Sequence, residues 1–359
     1  MSLLLALTLA TQPFIPSLPP APPRIWSVAW EKQLVPASLL EYRPQELGGP
    51  ALDLITGAVV VGTRDGWLHA YDPDGRRLWE FKAGGRFDAS PRIDGGTVYA
   101  GSADGRLYAL DLGDGRLQWS YDAHEEVGTT PVVADGRVLV MTLQDTLLAV
   151  DAKSGAWMWH HRREPKDGFT IRGAASVRVS DGRAVGAYSD GTVVALDLAT
   201  GAVRWERKIA PAGNFMDVDS LCLDGRWVYA AAYSGAVYGI DAASGRELWE
   251  LRTPGASRLA LGGGTLVVQT TTQLIGVSPR SGATRWTRKL EGAPWGDIAV
   301  VGGRAAIPDG MGLSLLDVAT GQLLRIFDPG TGVSAAAAWR GGRAYVLSNA
   351  GALFALDIS

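Results

Sequence analysis

The sequence has few of the residues from which catalytic and metal sites are usually built. Its 359 residues include one cysteine, Cys222, so no disulfide can form within the chain, and we expect this residue at a buried strand position. The four histidines do not follow the spacing of a zinc site, and the nucleophile-elbow, P-loop and paired Cys-x-x-Cys motifs are all missing. We therefore expect no bound cofactor, no metal and no catalytic activity.

Long apolar runs and a strong excess of one charge are missing as well. The longest apolar run is too short to span a membrane as a helix. The formal net charge of −3 provides no general attraction to nucleic acid or to anionic lipid. These properties argue against a nucleic-acid-binding protein and against an integral membrane protein.

What the sequence does contain is a repeated unit, represented by DLATGAVRW from Asp197 to Trp205. The preceding residues, Thr192 to Leu196, are apolar and rich in β-branched side chains, which is typical of a strand. Asp197 is placed to cap a turn and Gly201 to accept the positive φ that such a turn needs. The unit is therefore predicted to be the end of one strand, a turn, and the start of the next strand.

Copies of this unit recur at a period that indicates a β-propeller. Successive repeat tryptophans from Trp79 to Trp286 are 40, 40, 46, 44 and 37 residues apart, and a seventh copy keeps Asp317 and Gly321 without the tryptophan. A period of about 40 residues with several strands per unit is that of a propeller rather than of a helical solenoid. We predict that the tryptophans are structural anchors of the repeat: Trp30, Trp79, Trp119, Trp159, Trp205, Trp249 and Trp286.

The number of blades follows from the two ends of the repeat region. Seven complete units have first strands near Ala51, Ala89, Thr130, Ala174, Leu221, Leu259 and Ile298. Residues 335–357 supply three strands of an eighth unit, and residues 24–34 resemble its missing outer strand. We therefore predict an all-β, eight-bladed propeller of four-stranded antiparallel blades, with the N-terminal strand closing the last blade, which removes open sheet edges.

The first 23 residues are predicted to lie outside the propeller. They carry no charged side chain, and Leu3 to Leu9 is a short apolar run followed by a Pro-rich spacer. This pattern favours a signal peptide, with cleavage expected near Ala10, and hence export. The expected organisation is a signal peptide and spacer over residues 1–23 and a single propeller domain over residues 24–359.

Two long connections interrupt the regular repeat, and in a repeat protein such extra residues often carry function. They lie within residues 160–173 and 208–220 and join the outer strand of one blade to the inner strand of the next, so they should share one face. Phe169 and Ile171 are candidate apolar anchors and Arg172 a candidate cation, while Asp217 and Asp219 form an acidic flank on one side of an extended segment. Such a patch suits a protein partner; the alternative is an Arg–Asp ion pair that braces neighbouring blades.

The residues of this region resemble a known family. The repeat is similar to the pyrroloquinoline-quinone type of propeller repeat, and FTIRGAA followed by DLATGAVRW and DVDS resembles the BamB family. That resemblance implies a non-enzymatic periplasmic scaffold, at the inner face of the outer membrane, that binds the POTRA domains of a BamA-like protein and assists insertion of β-barrel proteins. By position, Phe169, Ile171 and Arg172 would form one part of the contact, and Asp217 and Asp219 the other. We expect a monomer within that complex.

The sequence departs from the family pattern, and two other functions remain open. Phe169 replaces a usual leucine, Ser220 follows the DVD segment in place of threonine, and no cysteine for acylation lies near the N terminus. One alternative is a propeller for another envelope protein or a polysaccharide. The other is a relative of the dehydrogenases that use pyrroloquinoline quinone.

Overall fold

The computed structural model describes residues 26–36, 45–163, 175–209, 218–233, 235–290, 296–308 and 311–358. These residues form 32 β-strands arranged in eight four-stranded sheets. No helix is found in these ranges, and therefore none that could cross a membrane. The eight sheets confirm the prediction of an all-β, eight-bladed propeller.

The first four blades follow one another along the chain, and each is ordered from its inner to its outer strand. Blade 1 contains β2 (Ala51–Leu52), β3 (Val59–Gly62), β4 (Trp67–Tyr71) and β5 (Arg77–Lys82). Blade 2 contains β6 (Arg92–Asp94), β7 (Thr97–Gly101), β8 (Arg106–Asp111) and β9 (Leu117–Asp122). Blade 3 contains β10 (Val132–Ala134), β11 (Arg137–Met141), β12 (Thr146–Asp151) and β13 (Trp157–Arg162). Blade 4 contains β14 (Arg178–Ser180), β15 (Arg183–Ala187), β16 (Thr192–Asp197) and β17 (Val203–Lys208).

The last four blades complete the ring, and the eighth draws its outer strand from the opposite end of the sequence. Blade 5 contains β18 (Val218–Asp224), β19 (Trp227–Ala232), β20 (Ala236–Asp241) and β21 (Glu247–Arg252). Blade 6 contains β22 (Arg258–Gly262), β23 (Thr265–Gln269), β24 (Gln273–Val277) and β25 (Thr284–Lys289). Blade 7 contains β26 (Ala299–Val301), β27 (Arg304–Pro308), β28 (Leu313–Asp317) and β29 (Leu323–Phe327). Blade 8 contains β30 (Ala338–Arg340), β31 (Arg343–Leu347), β32 (Ala352–Ile358) and β1 (Trp26–Gln33).

The hydrophobic core is divided among the junctions between blades. Eight apolar clusters are present, and each combines side chains from two neighbouring blades, including the pair formed by blades 8 and 1. A sheet must bury its apolar faces against another layer. Here each blade buries both faces against its two neighbours, so the closed ring leaves no blade with an open face.

The turn of the repeat forms as its residues predict. The Oδ1 atom of Asp197 accepts hydrogen bonds from the backbone N–H groups of Ala199 and Thr200, both at 3.0 Å. Gly201 has φ +72° and donates its N–H to the carbonyl of Asp197 at 2.8 Å. Contact with Arg204 and the Thr200 hydrogen bonds lower the pKa of Asp197 to about 2. The carboxylate is therefore a turn cap that stays ionised.

The repeat tryptophans connect each blade to the next. Each of the seven indoles donates its Nε1–H to a backbone carbonyl in the turn before the outer strand of the following blade, at 2.7–3.1 Å. The glycine of that same turn lies against the indole ring, as Gly245 does against Trp205. The acceptors, in chain order, are the carbonyls of Pro73, Leu112, Ala152, Leu198, Ala242, Pro279 and Val318.

Blade 7 lacks this tryptophan, and the topology gives the reason. Arg325 occupies the corresponding place, since it pairs with Leu315 as Trp205 pairs with Ala195. The next blade has no turn leading into its outer strand, because β1 pairs with β32 without a hairpin between them. An indole from blade 7 would therefore have no turn carbonyl to which it could donate.

The two faces of the ring are distinguished by their connections. We call the face with the turns between second and third strands, and with the blade-to-blade connections, the upper face. The opposite, lower face carries the hairpins after the inner strands and the Asp-capped turns. Both long connections identified in the sequence thus begin and end at the upper face.

Candidate functional site

The upper face has a cavity at the centre of the ring. Its volume is about 230 Å³, and residues from all eight blades line it where their inner strands begin. Corresponding positions at or just before the start of the inner strands form a ring of small residues in six blades: Gly49, Ser90, Thr130, Ser176, Ser220 and Ala336. Because most of this lining is small or hydroxylated, the backbone and a few long side chains determine the chemistry of the cavity.

Blades 6 and 7 break the ring of small residues with a pair of opposite charges. Arg258 and Asp297 take the corresponding positions, and the Nε atom of Arg258 lies 3.0 Å from a carboxylate oxygen of Asp297. The Asp297 side chain is 60% exposed, whereas that of Arg258 is 22% exposed. Water screens a pair of this exposure, so it stabilises the fold by less than about 1 kcal/mol. The pair marks one side of the cavity as charged.

Asp219 lies in the wall of the cavity, and its side chain is buried. The strand register skips this residue, because Val218 pairs with Ala232 and Ser220 with Ala231. Asp219 is the extra residue of a β-bulge, and such bulges redirect a side chain. The residue is only 5% exposed and is one of the residues lining the central cavity.

The other four residues of the predicted patch lie outside the described residues: Phe169, Ile171, Arg172 and Asp217. The bounds of the two connections differ from the sequence-based ones. His160 to Arg162 belong to β13, Lys208 belongs to β17, and Val218 to Ser220 belong to β18. These residues are therefore part of the blades, and residues 164–174 and 210–217 of the two connections lie outside the described residues.

Ion pairs hold the base of the first connection. Arg163 donates through both Nε and Nη2 to one oxygen of Asp190, at 3.0 and 2.9 Å, and through Nη1 to Glu206 at 2.9 Å. The Nδ1 atom of His161 lies 2.7 Å from the hydroxyl oxygen of Tyr188, and burial lowers the pKa of this histidine. Arg163 therefore links blades 3 and 4 just before the first connection starts.

A second buried charge lies on the upper face at the junction of blades 8 and 1. Glu46 is fully buried and forms an ion pair with the guanidinium of Arg64, whose backbone N–H also donates to it at 2.9 Å. Burial outweighs these favourable contacts and raises the pKa of Glu46 to about 7. This carboxyl is therefore close to half protonated at neutral pH.

We expect Glu46 to make the stability of the fold depend on pH. Its ordinary pKa is 4.5, so the folded state binds the proton more tightly than the unfolded chain does. The stabilisation from this proton is fully present below pH 4.5 and is lost as the pH rises through about 7. Melting temperatures between pH 5 and pH 8 should fall less in Glu46→Gln than in the wild type. Glu31→Gln, at an exposed site, should keep the wild-type slope; equal slopes in all three proteins would contradict the assignment.

The described residues do not bring together a metal-binding set. No three side chains of His, Cys, Asp or Glu approach one another as metal ligands would, within the ranges that the structure describes. Cys222 is buried, and burial raises the pKa of its thiol to about 11, so it is protonated at neutral pH. The thiol is therefore a packing group, as its sequence neighbours suggested.

Comparison with protein families identifies the repeat. The family model described as outer membrane protein assembly factor BamB matches residues 24–129, 64–254 and 233–359, and these overlapping segments span the whole propeller. No curated protein sequence is a significant match to the chain.

Solved structures show the same fold at low sequence identity. The crystal structure of BamB from Moraxella catarrhalis is 21% identical with a TM-score of 0.79, over 93% of this chain and 100% of that chain. The computationally designed protein Ika8 is 19% identical with a TM-score of 0.71, over 89% of this chain and 98% of that chain. Quinohemoprotein alcohol dehydrogenase from Comamonas testosteroni is 16% identical with a TM-score of 0.74, over 93% of this chain and 76% of that chain. Because the family model covers the propeller from its first strand to its last, the chain belongs to the outer membrane protein assembly factor BamB family.

Proposed function

We propose that this chain is a non-catalytic periplasmic scaffold that binds a BamA-like partner and assists the assembly of outer-membrane β-barrel proteins. The observation that carries the proposal is the family match, which extends over all eight blades. The dehydrogenase has a similar fold, but at 16% identity that similarity concerns the fold alone. The chain would be peripheral to the inner face of the outer membrane and would act as a monomer within a complex.

We place the partner contact on the upper face, around blades 3 to 5. Both long connections start and end there, and the base of the first is held by Arg163 with Asp190 and Glu206. A rigid base fixes the place on the upper face from which this connection starts, and such preorganisation favours binding. Within this proposal Phe169, Ile171 and Arg172 supply the central contact, and Asp217 lies at its edge.

Asp219 takes a different role in this proposal from that of an exposed acidic contact. Its side chain is buried in the wall of the central cavity, within the strand into which the second connection leads. A buried carboxylate affects binding mainly by fixing the backbone around it. We therefore expect substitutions of Asp219 to reduce folding and binding together, which makes Arg172 the better residue for a test of binding.

Reversing the charge of Arg172 should remove the partner while leaving the protein folded. Tagged wild-type protein is purified from its own cell envelope under mild crosslinking and compared with Arg172→Glu. We expect a BamA-like barrel protein with the wild type and at least a tenfold loss with the variant. Arg116→Glu is the matched control, because this arginine is 86% exposed and lies on the lower face; it should retain the partner.

The outcomes of this experiment separate the site from the function. Retention of the partner by Arg172→Glu would place the contact elsewhere on the protein, and loss with both variants would show that the effect is not specific to Arg172. If no barrel-assembly component accompanies the wild type, the scaffold function is wrong for this chain, and a different envelope protein or a glycan becomes the partner to seek.

A further inference from the structure

In two of the outer clefts between neighbouring blades, a pair of aromatic side chains fills the space. Phe81 of blade 1 packs edge-on against Tyr108 of blade 2, with ring centroids 5.4 Å apart. Phe327 of blade 7 packs in the same way against Phe354 of blade 8, at 5.2 Å. In each pair the first residue comes from an outer strand and the second from the third strand of the next blade. The third-strand residues of these pairs, Tyr108 and Phe354, are buried at 7% and 8% exposure.

Between blades 6 and 7 the corresponding residues are Arg288 and Ser314. Arg288 corresponds to Phe81, because it pairs with Leu274 of the third strand as Phe81 pairs with Leu68. Ser314 corresponds to Tyr108, because each directly precedes the third-strand residue that pairs with the repeat position of the outer strand, Leu315 and Ala109. The small serine leaves a cleft of about 30 Å³ with an apolar lining supplied by Leu274, Leu290, Leu316, Leu323 and Ile326. The cleft is therefore deep enough for the end of one aliphatic side chain.

The rim of this cleft is positively charged. Arg288 and Lys289 of β25 line it, and the two outer strands that flank it, β25 and β29, contain no Asp or Glu. They are the one neighbouring pair among the eight outer strands in which both lack an acidic residue. Asp328, just after β29, accepts a hydrogen bond from the backbone of Gly330 at 2.7 Å. Within the described part of the chain, neither Arg288 nor Lys289 forms an ion pair.

The backbone of β29 adds a third feature. It pairs with β28 on one side only, so its other edge presents backbone N–H and C=O groups. Natural edge strands usually carry charges that discourage pairing. β29, Leu-Leu-Arg-Ile-Phe, carries one charge, Arg325, and its apolar Ile326 is 48% exposed. An exposed edge next to an apolar cleft is suited to an extended polypeptide, whose backbone can bond the edge while alternate side chains enter pockets.

We propose that the cleft between blades 6 and 7 binds an extended, acidic polypeptide segment that inserts an aliphatic side chain between Arg288 and Ser314. The acidic side chains of the segment lie against Lys289 and Arg288, and the aliphatic one takes the place that Tyr108 and Phe354 fill in their own clefts. The site is on the rim of the ring and is separate from the upper-face contact. Its occupation is therefore independent of whether a BamA-like protein is the partner there.

A direct binding measurement tests the proposal. The probe is a fluorescein-labelled peptide of alternating Glu and Leu, followed by fluorescence anisotropy with the full chain. We expect the Glu–Leu peptide to bind saturably, with an affinity that weakens as salt is raised. A Glu–Ser peptide, which lacks the aliphatic side chains, should bind at least tenfold more weakly, and a Lys–Leu peptide should not bind. No saturation by the Glu–Leu peptide, or equal binding of all three peptides, would overturn the proposal.

Two variants locate the binding on the protein. Ser314→Phe introduces the side chain that blade 8 has at this place, so the protein should fold with an unchanged or higher melting temperature while the peptide binds at least tenfold more weakly. Lys289→Glu should weaken binding to a similar degree without filling the cleft. Lys208→Glu is the control, because Lys208 has the same place in blade 4, where Arg207 is paired with Glu247 at 2.6 Å. Binding that is insensitive to both cleft variants, or as sensitive to Lys208→Glu, would refute the assignment.

Discussion

Replacing Trp205 with alanine should lower the free energy of unfolding by about 3–5 kcal/mol, the usual cost of removing a buried aromatic side chain. The indole is 8% exposed and belongs to the apolar cluster between blades 4 and 5. Its Nε1–H donates to the Ala242 carbonyl at 2.9 Å, so the truncation also removes a buried donor from its acceptor. Urea denaturation followed by tryptophan fluorescence and circular dichroism measures the change.

Trp157→Ala is the matched control for this measurement. Trp157 is also an outer-strand tryptophan, two residues before the repeat anchor Trp159, but it is 54% exposed. Its removal should change stability by less than about 1 kcal/mol, because exposed side chains contribute little to burial. Equal effects of the two variants, or an unchanged denaturation midpoint for Trp205→Ala, would show that the repeat tryptophans do not hold neighbouring blades together.

Gly245→Ala should destabilise the protein by about 3 kcal/mol, from two causes that can be separated. Gly245 has φ +70°, a conformation that costs an alanine about 1 kcal/mol or more. A Cβ atom at this position would also lie 2.7 Å from the ring of Trp205, closer than real Cβ contacts allow. The neighbouring blades would have to move apart to relieve the overlap.

Gly136→Ala separates the two causes because it retains only the first. Gly136 has φ +73°, yet no atom lies within 4 Å of the position its Cβ would take. We expect a cost of about 1 kcal/mol there. In a Trp205→Ala background, Gly245→Ala should fall to the same cost, since the ring is gone. If the cost of Gly245→Ala does not depend on Trp205, the packing of indole on glycine contributes nothing to stability.

The repeat could be predicted from the sequence because its signals are local. The Asp–Gly turn and the tryptophan lie within nine residues of one another, so each copy can be recognised on its own, and the copies predict both the blade count and the ring. The predicted inner strands begin within four residues of the observed ones. The missing tryptophan of blade 7 was visible as well, but its cause, a neighbouring blade without a turn into its outer strand, depends on how the two ends of the chain meet.

The site was less predictable, because its features arise from contacts between distant residues. The bulge that buries Asp219 depends on how β18 pairs with β19, and alternation along an extended segment could not reveal it. The Arg258–Asp297 pair joins two blades, although an alignment of inner strands would have shown both residues replacing small ones. The open cleft beside Ser314 is recognisable only when the outer strand of one blade is compared with the third strand of the next.

The pairing of β1 with β32 determines when the ring can close. Trp26 lies opposite Ile358, so the two strands that complete blade 8 come from residues more than 300 positions apart. During synthesis or export β1 emerges first and has no partner until β32 follows, whereas blades 1 to 7 can each form from adjacent hairpins. The last step of folding is then the joining of the two ends. Until it occurs, the edge of β32 and one face each of blades 1 and 8 remain open to association with other chains. A slow joining step would make the newly synthesised chain, rather than the finished ring, the form most in need of protection.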